Sequence, residues 1–152
     1  MTLFRTALTR LADLTVVGVA HQYDVDVVPD DLSRAQLPAL LVLPVEIEDD
    51  ALFKRRGEGF EAVAFSEGAR TVTYVVTHLL LVAPVQAGAG RRSHLPLLID
   101  LIDAYVAALG ADVTLGGALL EPARVQVEPG SFTYGDRLYH GCAFRHTWRM
   151  EV

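Results

Sequence analysis

Hydrophobic and polar positions alternate with a period of two over Thr71–Ala83, and the period then changes. Thr71, Thr73, Val75, Thr77, Leu79 and Leu81 share one face of this predicted strand. Val72, Tyr74, Val76, His78, Leu80 and Val82 share the other. One face is polar in the first half, whereas the second half is apolar on both faces, which predicts cover on both sides there. Such a strand extends ~43 Å, more than most. A loop follows between Pro84 and Pro96, holding Gly88, Gly90, Arg91 and Arg92. His94–Leu109 then reads as a helix, with Ser93 as N-cap, Pro96 in the first turn and Gly110 just past the end. Within it, Leu95–Leu109 is apolar almost all round, broken mainly by Asp100 and Asp103. A monomer's surface helix keeps a polar face. The pattern therefore predicts that another molecule covers part of this helix.

The rest of the chain divides into shorter pieces. Thr2–Leu14 predicts an amphipathic helix, with Leu3, Phe4, Ala7, Leu8, Leu11 and Leu14 on one side and Arg5, Thr9, Arg10 and Asp13 on the other. Thr15–Ala20 is β-branched and predicts a short strand, and Val25–Val28 a second extended piece. Pro29 starts a turn, and Asp31–Ala35 suits a single helical turn. Leu37–Pro44 predicts a strand with prolines at its ends. Glu46–Gly59 has no clean period and carries charges of both signs, so a long extended loop or hairpin is expected near residues 46–60. Phe60–Ser66 alternates as a strand and turns at Glu67–Ala69 into Thr71. Gly116–Pro122 reads as a loop. Ala123–Glu128 and Ser131–Tyr134 predict strands separated by a turn at Pro129-Gly130. Arg137–Glu151 predicts a last strand, with Gly141 marking a bulge or bend. The order lacks regular strand–helix alternation. It predicts one domain over 1–152 of the α+β class: a mainly antiparallel sheet with two helices packed on one face.

Composition strengthens the expectation of assembly. The hydrophobic fraction is 51% before glycine is counted, above the usual ~45–50% with glycine included. No run approaches the ~18–20 apolar residues of a membrane span, so the excess is expected in contacts between subunits. The net charge of −6 and a pI near 5.2 disfavour a surface that grips nucleic acid. The single cysteine, Cys142, excludes an intrachain disulfide and a cysteine-based zinc site. The N-terminus reads as a helix rather than a signal peptide, so a reducing cytoplasm is expected.

The search for chemistry yields little. His140 and His146 share a strand face, but six residues put them ~20 Å apart. His21 with Asp24 and Asp26 makes a metal trio only if the backbone folds back. There is no Gly-x-Ser-x-Gly elbow, and Cys142 lies mid-strand facing the expected core. The Gly88–Ser93 loop leads into a helix N-terminus, where phosphates bind, but it lacks the Gly-Lys-Ser/Thr ending. A mobile loop, a protein contact and an anion site all stay open for it. Lys54-Arg55-Arg56 reads either as a solvated run or as a docking element for an acidic partner. Arg137, Arg145 and Arg149 line up as a one-sided basic stripe.

Several segments together resemble the tail-terminator or tail-completion proteins of long-tailed bacteriophages. They are the N-terminal helix leading into Val16-Val17-Gly18-Val19, the run Leu37–Pro44, and the strand Thr71–Pro84 with its Gly/Arg loop. They continue with Leu97-Leu98-Ile99-Asp100, Thr114-Leu115-Gly116-Gly117, Phe132–Gly135 and Leu138–Phe144. The resemblance implies a structural virion protein with no catalytic site, cofactor or metal, made in the bacterial cytoplasm and placed in the tail and neck. It implies a homo-oligomeric ring, usually of six copies, that caps the tail tube, ends its polymerisation and joins the head connector. DNA would pass its lumen without sequence-specific binding. Expected contacts with tail-tube, connector or neck proteins are Phe53, Lys54, Arg55, Arg56, Arg91 and Arg92. Expected self-association residues are Leu79, Leu81, Leu98, Ile102 and Tyr105. Another neck protein, or a small cytoplasmic enzyme or ligand-binding domain, is the alternative.

Overall fold

A computed structural model describes residues 3–44, 59–86 and 93–151. Among the described residues there are two α-helices and six strands: α1 (Leu3–Ala12), β1 (His21–Tyr23), β2 (Ala39–Leu43), β3 (Gly59–Ser66), β4 (Ala69–Pro84), α2 (Leu95–Gly110), β5 (Arg124–Tyr134) and β6 (Arg137–Glu151). The fold is α+β, with one mixed, mostly antiparallel sheet in the order β1-β2-β4-β6-β5. The sixth strand, β3, pairs with the first half of β4, and β2 pairs with the second half. Among the described strands, β1–β2 is the one parallel pair.

β4 and β6 form the spine, paired from Thr71↔Glu151 to Pro84↔Tyr139. Their register shifts between Leu81 and Ala83, opposite Gly141. A Cβ at Gly141 would lie 1.9 Å from the Leu80 carbonyl oxygen, so only glycine admits this approach. The expected irregularity at Gly141 is therefore present.

Both helices pack on one face. Ala7, Leu8, Leu11 and Ala12 of α1 and Leu98, Leu101 and Tyr105 of α2 bury there with Leu40, Val42, Val76, Leu80, Cys142, Phe144 and Trp148. The opposite face carries Ala39, Leu41, Leu43, Leu79, Leu81, Phe132, Tyr134, Tyr139 and Ala143. Leu32 buries on it, with Val28 and Leu37 packed alongside. The Tyr134 hydroxyl donates to the Pro29 carbonyl and the Tyr139 hydroxyl to the Leu32 carbonyl. The second half of β4 is thus covered on both faces, and the chain itself supplies the cover.

Local expectations are corrected at five places. Thr15–Ala20 is a turn rather than a strand: Gly18 has φ +95° and a Cβ there would press on Leu101. Val25–Val28 is also a turn, tied to α1 by the Arg5–Asp26 ion pair and by Thr9 donating to Asp24 at 3.0 Å. The helical turn lies at Arg34–Gln36, where Gln36 accepts the Ser33 N–H at 2.7 Å. β5 runs unbroken through Pro129-Gly130, because an edge strand tolerates a missing N–H on its outer side. The residue capping α2 is His94 rather than Ser93, and Gly110 is its last residue rather than the one beyond it. The expected loop near 46–60 lies almost wholly outside the described residues.

Candidate functional site

Helix α2 presents three different chemistries, because its apolar arc is wider than the surface beneath it. Its inner face buries Leu98, Leu101 and Tyr105. Its outer face leaves Ile99 58% and Val106 55% exposed, with Leu95 and Leu97 also exposed. At 100° per residue, Leu95, Ile99 and Val106 form one row with half-buried Ile102 on its flank. Asp100 and Asp103, both exposed, border that row.

The inner face carries a buried polar chain. Tyr105 Oη lies 2.8 Å from His78 Nδ1 and 2.7 Å from His146 Nε2. Trp148 Nε1 donates to His146 Nδ1 at 3.2 Å. An indole N–H only donates, so neutral His146 must carry its proton on Nε2. That N–H donates to Tyr105, whose hydroxyl then donates to His78 Nδ1. The proton of His78 is thereby fixed on Nε2, a buried atom without a hydrogen-bond partner among the described residues. The Tyr105 ring also stacks on Phe144 at 3.6 Å. Burial pushes His146 down to about 3 and His78 well below the usual histidine range, the latter aided by the charge of His146. Burial raises the Tyr105 hydroxyl well above its ordinary value, with a further contribution from Cys142. This chain locks α2 onto β4 and β6 and is closed to solvent.

A cleft of about 410 Å³ opens at the start of α2. Its polar lining includes Arg34, Gln86, Ser93, His94 and His140, and Leu37, Pro38 and Leu97 are among its apolar walls. The rings of His94 and His140 stack at 3.7 Å, 8° from parallel. Burial, and then the charge of His94, lowers His140.

The expected self-association residues fall in two environments. Leu79, Leu81, Leu98 and Tyr105 are buried in the chain's own core, and Ile102 is half-buried. The helix surface left bare is instead Leu95, Leu97, Ile99 and Val106. Phe53, Lys54, Arg55, Arg56, Arg91 and Arg92 lie outside the described residues. The basic stripe is broken, because Arg145 is buried and donates to Thr77 at 2.9 Å. Arg149 lies 3.8 Å from Glu121. Asp24 and Asp26 are engaged by α1, and no described group of three His, Cys, Asp or Glu side chains could hold a metal. Burial pushes the Cys142 thiol up to about 12. No described helix is long and apolar enough to cross a membrane. Sequence reasoning missed the His78–Tyr105–His146 chain. Alternation puts His78 with Val76 on one face of β4 and His146 with Trp148 on one face of β6, but the register that sets Val76 opposite His146 is not in the pattern. The chain matches no protein-family model, and no curated protein matches it significantly.

Proposed function

We propose that this protein is a structural subunit that assembles with copies of itself into a ring at the head-proximal end of a bacteriophage tail tube. There it stops tube growth and docks the tail to the head connector or neck proteins. The observation that carries the reading is the bare apolar row of α2, Leu95, Ile99 and Val106. The same helix already buries its inner face, so the row is surplus to what the fold requires. Continuous exposed apolar surface of this kind marks interfaces. The ring geometry and the tail position come from the family resemblance, which spans segments of both helices and most of the sheet. Light scattering of the purified protein, alone and with tail-tube protein, tests the reading. Assembly is expected, and a strict monomer in both conditions refutes it. The cleft lined by Arg34, His94 and His140 favours a second reading, a small-ligand domain. That reading requires saturable binding by a monomer.

A further inference from the structure

The cleft at the start of α2 gathers positive and neutral polar groups but no negative ones. Its volume of about 410 Å³ falls within the ~300–1,000 Å³ of small-molecule sites. The whole chain has a net charge of −6, yet none of the described residues lining the cleft is a carboxylate. Arg34 reaches it from the helical turn Arg34–Gln36, just before β2. Its guanidinium makes no ion pair among the described residues. Leu37, Pro38 and Leu97 add apolar walls.

His94 caps α2, His140 lies on β6, and their rings stack at 3.7 Å. Both are half-buried, and neither ring hydrogen-bonds to another described residue. Stacking engages the ring faces and leaves the ring nitrogens open at the edges. On the sheet His140 pairs with Ala83 and Ser131, neither of them charged. The next residue on its face of β6 is Cys142, a buried thiol that stays neutral. The described titratable or charged groups lining the cleft are therefore Arg34, His94 and His140. Two protonated imidazoles in such a stack repel each other, so the second proton is held off. An anion at the ring edges removes that penalty and draws the proton in.

We infer that this cleft binds a small organic oxyanion, a carboxylate or phosphate monoester with an apolar body. Arg34, His94 and His140 hold the charged head, and Leu37, Pro38 and Leu97 cover the body. The inference rests on the reading of this cleft as a ligand site and names the ligand class. The site is built from one chain and does not depend on self-assembly.

Isothermal titration calorimetry with benzoate, phenyl phosphate and benzyl alcohol tests it. At least one of the two anions is expected to bind saturably, one per chain, and the tighter of them identifies the head group. Benzyl alcohol shares the ring but not the charge, and should bind about tenfold more weakly or worse. The affinity for the benzoate probe should rise about three- to tenfold from pH 7.5 to 6.5, as a proton enters the histidine pair. Arg34→Met, at an exposed position, should weaken anion binding about tenfold. Replacing both histidines, His94→Phe with His140→Phe, keeps two rings to stack and should remove the pH dependence. Benzyl alcohol binding as tightly as the anions overturns the anion class while a ligand cleft stands. No saturable binding by any of the three overturns both. Unchanged affinity in Arg34→Met, or benzoate binding indifferent to pH, overturns the placement of the head. If the double variant fails to fold, Arg34→Met and the wild-type pH series decide.

Discussion

Lowering the pH from 7.5 to 5.5 should destabilise the fold through two histidines that the core keeps neutral. His78 and His146 are fully buried in the chain that joins β4, α2 and β6. In the unfolded chain each titrates near 6.5. In the folded protein His146 is pushed down to about 3 and His78 well below its ordinary value, in both cases chiefly by burial. Folded-state values below the unfolded one leave stability whole above pH 6.5. Stability is then lost as the pH falls toward the folded value, because only the unfolded chain takes up the proton. Between pH 7.5 and 5.5 the loss is about 1.4 kcal/mol for each histidine, or roughly 3 kcal/mol for the pair. That is a large part of a typical ~5–15 kcal/mol. Urea titrations at both pH values, at one protein concentration, read it as a midpoint shift of about 1–2 M. His146→Gln should remove about half of the pH dependence, whatever it does to absolute stability. Subtracting the two proteins cancels the titrating groups that lie outside this buried chain. An equal pH dependence in wild type and variant would refute the argument.

Other consequences follow from the same geometry. Gly141→Ala forces a Cβ against the Leu80 carbonyl at the centre of the β4–β6 ladder. It should cost about 3 kcal/mol and lower the thermal midpoint by roughly 6–12 °C; an unchanged midpoint contradicts the close approach. Cys142 is buried, and burial holds its thiol up at about 12, so a thiol reagent should label it only as fast as the protein opens. Labelling at the rate of a free thiol would show the strand face to be open. Tyr105→Phe leaves His78 Nδ1 and His146 Nε2 without their shared partner and should cost about 1–3 kcal/mol in chemical denaturation. A neutral substitution would mean the hydroxyl holds nothing together.

Long periodic segments were legible because their period is itself the physical cause of their burial. β4, β6 and α2 all appear within about two residues of the expected bounds. Arg145 shows where this stops: alternation places it with Arg137 and Arg149 but does not tell that its face is buried. Further along the same face, Leu79 and Leu81 are covered by an irregular segment around Val28–Leu37, which has no period to read. The pattern places Leu79 and Leu81 in a subunit contact for the same reason. The apolar excess on β4 was visible, whereas the segment of the same chain that absorbs it was not. Thr15–Ala20 has strand-like residues, yet Gly18 turns the chain beneath Leu101. The His78–Tyr105–His146 chain depends on strand register and helix docking together, and a single sequence specifies neither directly. What survives from the pattern is the surplus on α2, now reduced to its outer row.

Electron microscopy of negatively stained, purified protein tests the central claim most directly. The account predicts rings of one diameter with a central hole, lost in Ile99→Asp without loss of fold. A field of single small particles at concentrations well above micromolar, confirmed as monomers by light scattering, would contradict it.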